Sequence, residues 1–312
     1  MIVVGGECLI DMIEFDGEGG QSFFALPGGS PFNVALAAGR LGLPVSFLSR
    51  QSTDEFGRRL SAALEESKVD TSLCPVTGQP STLAIAGLDP ESGGVRYMFY
   101  TEGTAGVSMQ EDELPPALPA EVQAVHVGSF SLTMEPIASA LEALVRREAQ
   151  ERVITIDPNI RTMLIRDPES ARERLRALLP QADIIKLSDE DLEWLELGVD
   201  EEEFAFEKIG QGTSLVLITR GGEGASARGA FGSCDLPAAE IEMVDSIGAG
   251  DTFMAAILTW LAESDLLSKE SLKDLSGDQM ESLLSFAGHA AEITCMRPGC
   301  DPPWREELEG ES

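Results

Sequence analysis

A doubly wound α/β fold, with a mostly parallel sheet and helices on both faces, is what this sequence predicts. Two observations carry that reading. Short apolar runs rich in β-branched residues recur along the chain and are continuous rather than alternating, the pattern of strands buried on both faces. Helical patterns lie between several of them, and the order β-α-β-α is that of crossover connections in a parallel sheet.

The runs are Ile2–Val4, Val45–Leu48, Val122–Val127, Val153–Ile156, Ile184–Leu187, Leu215–Thr219 and Ile241–Val244. Ser30-Pro31 reads as an N-cap with proline at the first helical position, opening a helix to about Leu41 that stops at Gly42 and Pro44. Further helices are expected over 56–67, 136–150, 169–179 and 189–197. Segments 10–25 and 82–105 break the rhythm. Leu83 and Ile85, then Val95, Tyr97 and Phe99, alternate with other residues across a Pro90–Gly94 turn, so these segments read as a small β-lid inserted in one domain, 1–312. The acidic tail 305–312 is expected to fray.

Composition bounds the function. With 22 basic and 54 acidic residues the formal charge is −32, and a nucleic-acid partner, which needs clustered Lys and Arg, is excluded. No run of 18 apolar residues predicts a membrane span. The start Met1–Gly6 has no basic leader and reads as a buried strand, so a cytoplasmic location is expected. Five cysteines form no Cys-x-x-Cys pair and two histidines, His126 and His289, lie in apolar sequence; packed residues with reduced thiols are expected, not a zinc site. An anionic nucleotide would meet a repulsive surface, so its site must supply positive potential locally.

The segment richest in chemistry is Asp245-Ser-Ile-Gly-Ala-Gly-Asp-Thr-Phe253, between an apolar run and an apolar helical stretch. Gly248 and Gly250 let successive N–H groups, with that of Ala249, point outward at a positive helix end, forming an anion hole for a transferring phosphoryl group. Asp251 stands where it can take a proton from a hydroxyl; alternatively it only caps the helix. Near the N-terminus, Asp11 can accept from two ligand hydroxyls, Gly28 and Gly29 allow close backbone approach, and Asn33 offers a donor and an acceptor. No lysine follows a glycine, so a P-loop is excluded. Gly222-x-Gly224-x-x-Ala227 fits a dinucleotide fingerprint, but Arg228–Gly232 after it does not read as a helix, so that context fails.

Together these residues resemble the ribokinase/fructokinase (PfkB-type) family of sugar kinases. The 245–253 segment is similar to its C-terminal signature and Pro27-Gly-Gly-Ser-Pro-Phe-Asn-Val-Ala35 to its N-terminal one, about 220 positions earlier. The resemblance covers essentially the whole chain. It implies a ribokinase-like fold with a β-lid, ATP and Mg²⁺ as cofactors, a sugar held by Asp11, Gly28, Gly29 and Asn33, and Asp251 as base. It further implies ATP contacts at Thr219, Gly221, Gly222 and Gly224, with Lys186, Ser188 and Arg161 beside the site. Asp245, the Ile247 carbonyl and carbonyls near Gly299 resemble the family's monovalent-cation loop, which implies activation by K⁺. Lid strands of this kind imply a homodimer.

Two departures stand out. The family's Asn-x-x-Glu, which helps place Mg²⁺, appears as Ser188-Asp-Glu-Asp191, leaving Glu190 and Asp191 as alternatives. Thr101 stands where many fructokinase-like chains carry Arg, which moves a lid contact to Arg96 or removes it. Gly6–Asp11, Asp157–Arg161 and Phe56-Gly57-Arg58 resemble the fructokinase branch, and D-fructose is the expected substrate. A sugar acid such as 2-keto-3-deoxygluconate, or another sugar or a nucleoside, is the alternative within catalysis. A sugar sensor that does no chemistry is the alternative outside it.

Overall fold

The computed structural model describes residues 1–310 apart from 18–19, 89–94, 197 and 231. In chain order the first half runs β1 (Ile2–Gly5), β2 (Leu9–Gly17), β3 (Gly20–Gly28), α1 (Ser30–Arg40), β4 (Val45–Leu48), β5 (Gln51–Ser52), α2 (Glu55–Glu66), β6 (Val76–Thr77), β7 (Thr82–Leu88), β8 (Val95–Tyr100), β9 (Ala124–Gly128) and α3 (Ile137–Glu148). There follow β10 (Val153–Asp157), α4 (Pro168–Leu178), β11 (Ile184–Ser188), α5 (Asp189–Leu195), α6 (Glu201–Gln211), β12 (Leu215–Thr219), β13 (Ala225–Gly229) and β14 (Gly232–Leu236). The chain closes with α7 (Ala249–Glu263), α8 (Lys269–Lys273), α9 (Gly277–Cys295) and α10 (Arg305–Glu309).

The main sheet has the order β14-β13-β12-β11-β10-β9-β1-β4, with all pairs parallel from β12 to β4 and an antiparallel hairpin at the β14 edge. Side chains alternate across it. Ile2, Val4, Val45, Phe47, Leu215 and Leu217 face α1, α7 and α9, while Val3, Leu48, Val125, Ile154, Ile185 and Val216 face α3, α4, α5 and α6. Both faces being covered is why the strands read as unbroken apolar runs.

A second sheet has the order β3-β2-β7-β8, its strands lying within 9–28 and 82–100. Tyr97 and Phe99 line the cleft described below, and Phe23, Phe24, Leu26, Met98 and Tyr100 are exposed. The Pro90–Gly94 turn and the Arg96 side chain lie outside what is described.

Several expectations are corrected. Residues 241–244 form no strand: Met243 and Val244 are exposed, and Ile241 and Met243 line the cleft. The strands expected there are instead β13 and β14, whose small and polar residues carry no apolar run. Helices α6 and α9 went unread, although α6 opens on an Asp200 cap and stops at the left-handed Gly212 and α9 opens on a Ser276–Gln279 capping box. Residues 305–309 are helical rather than frayed. Ser30 does not cap α1: the N-cap is Gly29 at φ 109°, and the Ser30 hydroxyl is turned to another task. His126 is packed as expected, bonded to Thr155, and burial pushes its pKa down to about 3. His289 is instead partly exposed beside Glu292. No helix among the described residues is long and apolar enough to cross a membrane.

Candidate active site

The parallel strands deliver their C-terminal ends to one rim, where a cleft of about 970 Å³ opens. Asp157 ends β10, Ser188 ends β11 and Thr219 ends β12. Such a rim is where open α/β sheets bind ligands. The cleft is lined by Asp11, Gly29, Asn33 and Arg161 at one end, by Gly248–Asp251 at its centre, and by Lys186, Ser188, Glu190, Asp191, Thr219, Gly221, Gly222 and Gly224 beyond. Of the expected residues, Gly28, Asp245 and Gly299 stand behind this wall rather than in it.

Asp251 sits in the first turn of α7 yet caps nothing. The N-cap is Gly248, in the left-handed region at φ 77°, with no side-chain cap bond. Instead, Asp251 Oδ1 accepts from Ser30 Oγ at 2.6 Å and Oδ2 from Asn33 Nδ2 at 2.8 Å, both donors lying on α1. Asn159 Nδ2 lies 2.8 Å from Ser30 Oγ and 3.4 Å from Asp251 Oδ1. Three donors from two distant segments aim one carboxylate into the cleft beside the first turn of α7, where the Ala249 N–H donates to the Ser246 carbonyl at 3.3 Å. That geometry rules out a capping role and leaves the carboxylate at the cleft surface. Glycine is required at 248 for a second reason: a Cβ there would lie 2.2 Å from Cys300 Sγ.

At the other end, Asp11 is largely buried, and burial raises its pKa to about 6, partly offset by the Arg161 guanidinium. Gly28 makes room for it, since a Cβ there would stand 2.2 Å from Asp11 Oδ2. Gly29 bends tightly over the Glu7 carbonyl, 2.9 Å from where its Cβ would be. Arg161 is exposed and donates to Asn159 Oδ1 at 2.6 Å. Because a protonated Asp11 loses an acceptor, sugar kcat/KM is expected to fall as pH drops through about 6. A pH–rate series should show that acid limb in the wild type and not in Asp11→Asn. A limb unchanged in the variant would assign the titration elsewhere.

The two alternatives at the 188–191 turn separate. Asp191 Oδ2 accepts from the Ser188 N–H and Oδ1 from the Ile160 N–H at 2.7 Å, so its carboxylate ties β11 to the 157–161 segment. Ser188 Oγ in return accepts from the Asp191 N–H, completing a capping box. Glu190 is exposed and lines the cleft. Behind the anion hole, Asp245 Oδ1 accepts from the Ile247 N–H and Oδ2 from the Gly299 N–H at 2.9 Å, clamping two loops together. Gly224, at φ 97°, presses its backbone against Leu236 and starts the β13–β14 hairpin.

Sequence reasoning missed Ser30 and Asn159, although both lie in motifs it singled out. It also missed the far wall, where Leu236–Ile241 face Gly288, Ala291, Glu292 and Cys295 of α9; the small residues 287–291 were the available signal. Glu7 was read only as part of a motif. It is fully buried, its Oε2 accepts from the Ser131 hydroxyl, its Oε1 has no partner, and burial raises its pKa.

Comparison with known proteins decides the family. The sequence model of the pfkB family carbohydrate kinases matches residues 1–307. The chain belongs to the pfkB family of carbohydrate kinases. Among family relatives, a fructokinase of Rhizobium leguminosarum bv. trifolii is 41% identical over 276 residues, spanning 88% of this chain and 84% of that one. Fructokinase-1 of Oryza sativa subsp. japonica is 33% identical over 319 residues, with 99% and 96% covered. Among solved structures, fructokinase with bound ATP from Xylella fastidiosa superposes at TM-score 0.91 and 27% identity, covering 99% of this chain and 97% of that chain. The expected doubly wound, ribokinase-like fold and the carbohydrate-kinase class both stand.

Proposed function

We propose that this kinase is a cytoplasmic, ATP-dependent fructokinase that phosphorylates a terminal hydroxyl of D-fructose. The observation that carries it is the Asp251 carboxylate, held by Ser30 and Asn33 between the sugar end of the cleft and the first turn of α7. In this reading Asp11 and the 28–29 backbone hold the sugar. Asp251 orients the terminal hydroxyl and takes its proton as that oxygen bonds to the γ-phosphorus and the bond to ADP breaks. The Gly248 and Gly250 amides meet the spreading negative charge, and the Ala249 N–H, which donates to the Ser246 carbonyl at 3.3 Å, holds the turn that presents them. Thr219, Gly221, Gly222 and Gly224 lie along the nucleotide. The small sheet acts as a lid that excludes water as a competing acceptor, and its exposed apolar face supports pairing of two subunits.

Mg²⁺ keeps most of its waters and relies on substrate phosphates with one or two carboxylates. The residues fit such an ion: Glu190 is exposed in the cleft, Asp191 stands next to it, and no cluster of three metal-ligating side chains occurs among the described residues. When bound it would neutralise phosphate charge. Asp245 fits a monovalent cation behind the anion hole, because each oxygen accepts one N–H bond and keeps lone pairs. K⁺ at constant ionic strength is therefore expected to raise kcat/KM severalfold over tetramethylammonium. Equal rates in both salts would remove the cation from the account.

The test of substrate is kcat/KM across fructose, other hexoses, pentoses, nucleosides and sugar acids, read by ADP release. Fructose is expected to lead. A sugar acid exceeding it by tenfold or more would favour the second reading, which Arg161, an exposed cation near Asp11, supports. No sugar-dependent ADP release from any substrate would favour a sensor.

A further inference from the structure

The cleft has a charge problem that the residues above leave open. Eight of its lining side chains are carboxylates and only two, Arg161 and Lys186, are basic. Arg161 belongs to the sugar end, bonded to Asn159. Lys186 is the other, and its environment is unusual. It is 4% exposed, its Nζ lies 2.7 Å from Asp157 Oδ2, and its tip reaches the cleft wall. A Cβ added to Gly250 would sit 2.9 Å from that Nζ, so the ammonium presses on the first turn of α7.

A buried cation at the positive end of a helix needs anions around it. Asp157 is the bonded one. It is fully buried at the end of β10, and its second oxygen, Oδ1, has no partner. The remaining charges facing the pair are Asp251 on α7 and Asp191 on α5, with the neutral His126 on β9.

We infer that Lys186 is a catalytic residue that meets the phosphoryl group in transfer at the first turn of α7, and that Asp157 is the positioning residue that holds it there. The inference rests on the kinase reading. It explains why glycine stands at 250, since any side chain would push the ammonium away from the anion hole. It also gives Asp157–Arg161 one physical logic: Asp157 aims Lys186, Asn159 braces Ser30 and Asp251, and the Ile160 N–H anchors Asp191.

The test measures kcat, ATP KM, ADP affinity by calorimetry and melting temperature. Lys186→Met is expected to lower kcat by about 10²–10³-fold, the worth of one group aimed at developing charge, while ADP affinity changes by less than about threefold because ADP lacks the transferred group. Lys186→Arg, which keeps the charge, should recover part of the loss, and Asp157→Asn should lower kcat by a smaller factor with ADP affinity kept. Lys186→Met leaves Asp157 buried without its partner and is at risk of misfolding. The double variant Lys186→Met/Asp157→Asn removes both charges, and it is expected to fold and to stay as slow as the single change. Recovery of wild-type kcat in the double variant would mean that Lys186 only balances Asp157, and the inference falls. It falls too if Lys186→Met keeps kcat within threefold. Wild-type enzyme that turns over no sugar would instead overturn the kinase reading itself.

Discussion

Asp251→Asn is expected to retain the fold and nucleotide binding while kcat falls by about 10²–10⁴-fold, the usual worth of a positioned general base. The substitution is close to isosteric, and the bonds from Ser30 and Asn33 hold its geometry. An amide oxygen can keep one of those bonds, but an amide cannot take the hydroxyl proton. The loss should therefore appear in kcat, with sugar and ATP KM moved only a few-fold. Steady-state kinetics at saturating substrates, with melting temperature as the control, checks this. Turnover near the wild-type value would reduce Asp251 to a packing residue.

Gly248→Ala should rank next. At φ 77° an L side chain is strained by about 1–3 kcal/mol, and the new Cβ would lie 2.2 Å from Cys300 Sγ and 2.9 Å from Cys300 Cβ. The loop must shift, and the amides it carries shift with it. A kcat loss of about 10²–10³-fold is expected, as when one oxyanion donor is removed, together with a lower melting temperature. Gly248→Ala/Cys300→Ala should recover part of the stability, because the collision is relieved while the strained dihedral remains. A single variant with wild-type kcat would show that these amides do not meet the reacting phosphoryl group.

Much of this was legible in the sequence for a physical reason. Strands buried on both faces are apolar at most positions, so β1, β4, β9, β10, β11 and β12 announced themselves despite the buried Ser46, His126, Thr155 and Lys186. The β13–β14 hairpin closes the sheet with small and polar residues, Ser226 buried on β13 and Ser233 and Asp235 exposed on β14, a composition compatible with a loop, and the strand was sought instead in 241–244. The glycines at 28, 248 and 250 could be named because a missing Cβ matters locally. What each makes room for could not be named, because Asp11, Cys300 and Lys186 arrive from other elements. The same holds for Ser30: its neighbour Pro31 and its place before an apolar helix suggested a cap, and only the packing of α1 against α7 turns its hydroxyl to Asp251. Roles that depend on one short segment were readable, whereas roles that depend on two segments meeting were not.

The central claim is that the cleft passes a phosphoryl group from ATP to a sugar hydroxyl and not to water. Its most direct test is phosphorus and proton NMR of the products after incubation with ATP, Mg²⁺ and D-fructose. One fructose phosphate ester, on a primary carbon and formed one for one with ADP, is the predicted result. ADP with inorganic phosphate and unchanged fructose, or no consumption of ATP, would contradict it.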